Sequence, residues 1–152
     1  MNQPDTGDPT RSAEASAAAA ESLTFSLLTA AHALEDRIES SLAGVGLSMA
    51  KLGVLNLLAE AGAPLTLSEL ASLQKCVRSN MTQLVDRLEA DGLVQRIDDP
   101  HDRRSVRAAL TPLGEERQIA GAARMQTVQR EFAAVLPRDD RATLERILTA
   151  VR

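Results

Sequence analysis

The chain has 152 residues, enough for one domain and long enough to bury a core without a metal or disulfide staple. It holds two phenylalanines, no Trp or Tyr, one cysteine and a formal net charge of −4. Such a composition favours closely packed helices, excludes an internal disulfide and suits a reducing cytoplasm, and the acidic balance gives no general case for a nucleic-acid partner.

There is no apolar run of about 18 residues and no basic-then-apolar leader, so neither a membrane span nor a signal peptide is expected. Residues 1–12 contain Pro4, Gly7 and Pro9 among polar residues and read as a disordered tail. From Ala13 to Leu42, Leu27, Ala31, Leu34, Ile38 and Leu42 recur at helical spacing, and Gly44 and Gly46 end the pattern. Ser48 caps a second helix running to about Ala61, with Leu52, Leu55, Leu58 and Ala59 as its buried stripe and Val54 and Leu57 on a second apolar face. Thr66-Leu67-Ser68-Glu69 has the spacing of a capping box and opens a short helix to about Leu73. After a tight break, Arg78 to Asp91 forms another helix, with Met81, Leu84, Val85 and Leu88 on one face and Gly92 at its end.

Periodicity then shortens. Leu93 to Asp98 and Ser105 to Leu110 read as strands joined by a charged tip, with Val106, Ala108 and Leu110 on one face at period two. Thr111-Pro112 starts a helix carrying Gly121, Met125, Val128, Phe132 and Val135, which Pro137 breaks. A last helix aligns Leu144, Ile147, Leu148 and Val151.

Two short helices joined tightly and followed by a hairpin make a winged helix-turn-helix, so the predicted fold class is mainly α with a small β-hairpin wing. In that architecture the second helix enters the major groove and the hairpin tip reaches the neighbouring backbone or minor groove. The polar face of the Arg78–Asp91 helix presents Ser79, Asn80, Thr82, Gln83, Asp86 and Arg87. Asn80 and Gln83 suit adenine edges, Arg87 suits guanine or phosphate, and Arg78 lies at the helix start. An ordinary solvated helix face carries residues of the same kinds. From Lys75 to Arg107 seven bases stand against six acids, so this stretch is less acidic than the whole.

Leu70-Ala71, the run Ser79 to Glu89, and Gly92-Leu93-Val94 resemble the MarR family of bacterial transcription regulators. So does the wing, Asp98-Asp99-Pro100-His101-Asp102-Arg103-Arg104-Ser105, followed in register by Leu110-Thr111-Pro112-Leu113-Gly114. The resemblance implies a homodimeric DNA-binding regulator, repressor or activator, that binds a pseudo-palindromic operator in double-stranded DNA. It divides the chain into a tail (1–12), an N-terminal dimerisation helix (13–47), a winged helix-turn-helix (48–111) and C-terminal dimerisation helices (112–152). By position, Arg104 resembles the wing arginine that enters the minor groove and Asp102 the acid that orients it, with Arg103 a phosphate contact at the tip. A structural ion pair between Asp102 and Arg104 that holds the wing's shape is the alternative. The chain departs from the family around Gln74-Lys75-Cys76-Val77, where relatives have a glycine near Lys75 and a Ser or Thr cap near Val77.

The resemblance also implies a small-molecule effector as a further partner, and Phe25, Leu28 and His32 on the first long helix are candidates to line its site. The alternative for His32 is a surface or interface histidine, and the lack of Trp and Tyr leaves an aromatic pocket poorly supplied. Cys76 is expected to pack the turn as a small apolar residue, the alternative being a redox-sensitive thiol at the start of the Arg78–Asp91 helix beside Lys75 and Arg78. His32, His101 and Cys76 have no metal-ligand spacing, and neither a phosphate loop nor a nucleophile elbow occurs, so no metal, cofactor or enzymatic activity is expected. A winged helix that has lost DNA binding and acts as a dimeric scaffold is the competing function.

Overall fold

The computed structural model describes the backbone of residues 9–99 and 105–150, with side chains from residue 21 onward in those ranges. The chain forms two compact units, residues 1–37 and 38–152. The helix α1 (Pro9–Ala43) supplies the whole described part of the first unit and leads into the second. It begins four residues earlier than Ala13, within the stretch read as a tail; proline fits the first turn of a helix, where its missing N–H has no intrahelical partner to lose.

The second unit contains α2 (Met49–Ala61), β1 (Leu65–Thr66), α3 (Leu67–Leu73), α4 (Arg78–Ala90), β2 (Val94–Asp98), β3 (Val106–Leu110), α5 (Pro112–Val135) and α6 (Arg138–Ala150). Local chemistry sets most of these limits. Ser48 Oγ accepts from the Lys51 N–H, Thr111 Oγ1 accepts from the Gly114 N–H with Pro112 in the first turn, and Thr66 and Glu69 close the full capping box. At the end of α4, Gly92 takes φ 72, and the N–H groups of Gly92 and Leu93 bond the carbonyls of Glu89 and Leu88. That pairing is the Schellman stop, and it turns the chain straight into β2.

β2 and β3 pair antiparallel with Arg96 opposite Ala108 and Ile97 opposite Arg107. The two-residue strand β1 adds to the other edge of β3, giving the order β1-β3-β2. Sequence reading found the hairpin and missed β1, because two residues carry no periodicity of their own.

The core lies where α2, α3 and α4 meet the sheet. Leu42, Val54, Leu55, Leu70, Met81, Val85, Leu88 and Ala108 are fully buried, and Leu52, Leu58 and Val94 nearly so. On α4 the buried face is Met81, Val85 and Leu88 with Leu84 half-buried, as its spacing predicts. On α2 Ala59 is exposed, contrary to expectation, because Val54 joins Leu52, Leu55 and Leu58 in turning that helix into the core. Gly114 permits the tightest approach: a Cβ there would stand 2.0 Å from the Leu93 carbonyl oxygen. α6 buries no residue, and Phe132 and Val135 at the end of α5 are exposed.

Candidate nucleic-acid interface

α3 and α4 form the helix-turn-helix, with Gln74 to Val77 as the turn between them. The N–H groups of Lys75 and Cys76 bond the carbonyls of Ser72 and Ala71, so α3 ends in the same Schellman geometry as α4. The position that needs a left-handed backbone is Lys75, with φ 52, the one described non-glycine residue at positive φ. Lysine therefore occupies a glycine position, at a cost of about 1 kcal/mol in backbone strain. Val77 stands at the N-cap of α4 without a side-chain bond to the helix, and its side chain is exposed. The helix starts at Arg78, so Ser79 lies within its first turn. Cys76 is half-buried against the core, in keeping with its reading as a packing residue of the turn.

With the apolar face of α4 in the core, Arg78, Ser79, Asn80, Gln83, Asp86 and Arg87 are exposed together. Thr82 differs: it is half-buried, and its hydroxyl donates to the Arg78 carbonyl at 3.0 Å, which leaves it only acceptor capacity. Asp102, Arg103 and Arg104 lie outside the described residues, as does His101.

Two arginines seat the stem of the wing. Arg96 on β2 reaches α4, with Nη1 2.6 Å from Glu89 Oε2 and Nη2 2.5 Å from Asp86 Oδ1. Its N–H also donates to Glu89 Oε1 at 3.3 Å. Burial alone would lower the pKa of Arg96, but the hydrogen bonds and charges of Asp86 and Glu89 outweigh it and hold the pKa above its ordinary value. Arg107 on β3 donates from Nε to Asp99 Oδ2 at 2.8 Å and from Nη1 to the Pro64 carbonyl at 3.1 Å. Asp99 is the one buried charged residue of the described chain, and its N–H bonds the Ser105 carbonyl, closing the stem below the tip. Sequence reading placed Asp99 in the tip. The alternation Ile97, Asp99 on one strand and Arg107 on the next was the signal for this pair.

Phe25, Leu28 and His32 are all exposed on α1. The shallow concavity there is lined by Glu21, Thr24, Phe25 and Leu28 without His32. A cavity of about 410 Å³ lies elsewhere, between the end of α2, β3 and α5, with Leu58, Pro64, Leu110, Glu115, Gln118 and Ile119 among its lining. Its residues come from three separate elements, so no local pattern announced it. Among the described residues there is no group of three or more His, Cys, Asp or Glu placed to hold a metal, and no helix is long and apolar enough to cross a membrane.

A short helix, a tight turn, a second helix with a polar outer face and a two-stranded wing seated on that helix define a winged helix-turn-helix protein. Residues 47–106 match the model of the MarR family. The HTH-type transcriptional regulator YkoM of Bacillus subtilis is 39% identical over 71 residues, which are 47% of this chain and 46% of that relative. The matched stretch thus spans less than half of the curated relative. The fold resembles a mutant of the E. coli regulator MarR complexed with operator DNA, with a TM-score of 0.72 and 25% identity over 85% of this chain and 92% of that one. It also resembles CouR from Rhodococcus jostii bound to p-coumaroyl-CoA, with a TM-score of 0.68 and 25% identity over 85% of this chain and 90% of that one.

Proposed function

We propose that the protein is a sequence-specific double-stranded DNA-binding transcription regulator that reads a pseudo-palindromic operator as a homodimer. The single observation that carries this reading is the outer face of α4. Its exposed residues are Arg78, Ser79, Asn80, Gln83, Asp86 and Arg87, on a helix whose other face is locked in the core. A rigid helix with amide side chains and a terminal arginine matches the donors and acceptors of base edges in the major groove. Similarity to a MarR structure holding operator DNA supports the same reading. By the resemblance of the wing sequence, Arg103 and Arg104 are assigned the phosphate and minor-groove contacts and Asp102 the role of their acidic partner.

The homodimer reading rests on surface. α6 leaves Ile147 and Leu148 exposed, α5 leaves Phe132 and Val135, and α1 leaves Leu23, Phe25, Leu27 and Leu28. Apolar rows of this kind on several helices mark association surfaces.

Release by a small ligand is the finer part of the proposal. The cavity between α2, β3 and α5 has the size of a small-molecule site and joins apolar walls to Glu115 and Gln118. It is a better candidate than the exposed face of Phe25, Leu28 and His32.

A gel shift across a salt series tests the reading, using the full chain and a duplex from the region upstream of its own coding sequence. The expected result is a retarded complex that unrelated DNA competes away poorly and that weakens steeply with salt. A complex that unrelated DNA displaces equally well, or no complex, would favour a dimeric scaffold without operator recognition.

A further inference from the structure

The strand register places Arg96 opposite Ala108, whose side chain is fully buried, so Arg96 lies on the face of the hairpin that meets the core. From there it leans onto α4 and takes both carboxylates that flank Arg87, namely Asp86 and Glu89. Those two residues stand three apart and therefore share a face of the helix. The guanidinium is the least exposed partner, at 26% against 54% for Asp86 and 40% for Glu89. The positive charge is thus set behind two solvent-facing acids. Without it α4 carries Arg78 and Arg87 against Asp86 and Glu89, a helix with no net charge to offer a phosphate backbone.

We infer that Arg96 is a positioning residue for DNA recognition, which clamps Asp86 and Glu89 so that its charge offsets theirs toward the phosphates while β2 stays seated on the recognition helix. This rests on the DNA-binding reading above. Half-exposed ion pairs add little to folding, so the main consequence of the clamp is where it places charge. A fork with two separate N–H edges serves two carboxylates at once, which a lysine ammonium does with less geometric control. Without Arg96, the charge of Asp86, which is exposed on α4 beside Arg87, would be left uncompensated and would oppose each approaching phosphate.

The test uses the full-length chain, a duplex selected by that chain from a randomised 30-base-pair library, and an unrelated duplex, with affinity measured by fluorescence anisotropy. Thermal melting is recorded for each variant. Arg96→Gln is expected to weaken binding to both duplexes by about tenfold, since two uncompensated acids repel phosphates of any sequence. Adding Asp86→Asn and Glu89→Gln to that variant should return affinity to within about threefold of the original. The Asp86→Asn/Glu89→Gln pair with Arg96 intact should bind both duplexes more tightly and steepen the salt dependence; this arm stays decisive even if Arg96→Gln folds poorly. The inference is overturned if Arg96→Gln lowers the melting temperature and leaves affinity unchanged, if removing the acids does not rescue it, or if their removal alone does not tighten binding. Failure of the unsubstituted chain to select any duplex would instead sink the DNA-binding reading, and this inference with it.

Discussion

Lys75 and Val77 frame the entry to the recognition helix, and each fills its position with the less stable choice. Lys75 adopts φ 52, where glycine is free of the Cβ clash, and Val77 provides no oxygen for the first N–H groups of α4. Lys75→Gly and Val77→Thr are each expected to stabilise the fold by about 1 kcal/mol, by relief of strain and by capping respectively. Urea unfolding measures both. A loss of stability in Val77→Thr would show that the lost apolar contact of Val77 outweighs the gain from a cap. Glu69 makes the opposite case. The Thr66 N–H and hydroxyl both donate to its Oε2, at 2.7 and 2.8 Å, and these bonds hold its pKa below the ordinary 4.5. A carboxylate with a depressed folded-state pKa contributes stability that is complete above its unfolded-state pKa and disappears as pH falls through the folded value. The stability gap between the native chain and Glu69→Gln should therefore be widest near neutral pH and narrow below about pH 4.5. A gap that stays constant from pH 7 to pH 3 would show that the capping carboxylate adds nothing through its charge.

Among the elements, the wing is held at both ends of its stem, by Arg96 on α4 and by Arg107 with Asp99. Its base meets the start of α5 at Gly114, where a methyl group would collide with the Leu93 carbonyl. Gly114→Ala is accordingly expected to cost roughly 3 kcal/mol, because the obstacle is backbone and has no rotamer to change. A change within about 0.5 kcal/mol in denaturant unfolding would show that the wing and α5 are not packed as described. Most of these elements were legible in the sequence for identifiable reasons. Ser48, Thr66 and Thr111 announce helix starts through side chains that do the capping, and Gly62 and Gly92 announce stops through left-handed backbone. The face of α4 followed from the spacing of Met81, Val85 and Leu88 alone. What escaped depends on partners distant in sequence. β1 exists because β3 pairs with it, the Arg107–Asp99 pair needs the hairpin register, and the 410 Å³ cavity needs three elements at once. Lys75 is a different case: the resemblance marks a glycine position near it, but a lysine there carries no local signal of the left-handed backbone it adopts.

At the scale of the whole molecule, the apolar rows left on α5 and α6 are the surface assigned to the proposed dimer. Leu144, Ile147 and Leu148 follow one another at helical spacing on α6, and none of them is buried. Deleting the chain from Leu144 onward should abolish the proposed dimer or cause aggregation, as sedimentation equilibrium would record. A soluble monomer that still binds DNA tightly would contradict the assembly proposed. The winged helix itself has a complete core without those helices' outer faces, so its fold and its assembly are separable properties.

The central claim is that two copies of α4 read two half-sites of one duplex. Hydroxyl-radical footprinting of the full chain on its selected duplex tests this most directly, because it maps both grooves at single-nucleotide resolution. The expected result is two equivalent protected regions related by a two-fold axis. Their centres should lie about 10 base pairs apart, the spacing that places both recognition helices on one side of the DNA. Protection of a single unrepeated half-site, or uniform protection that follows no sequence, would contradict it.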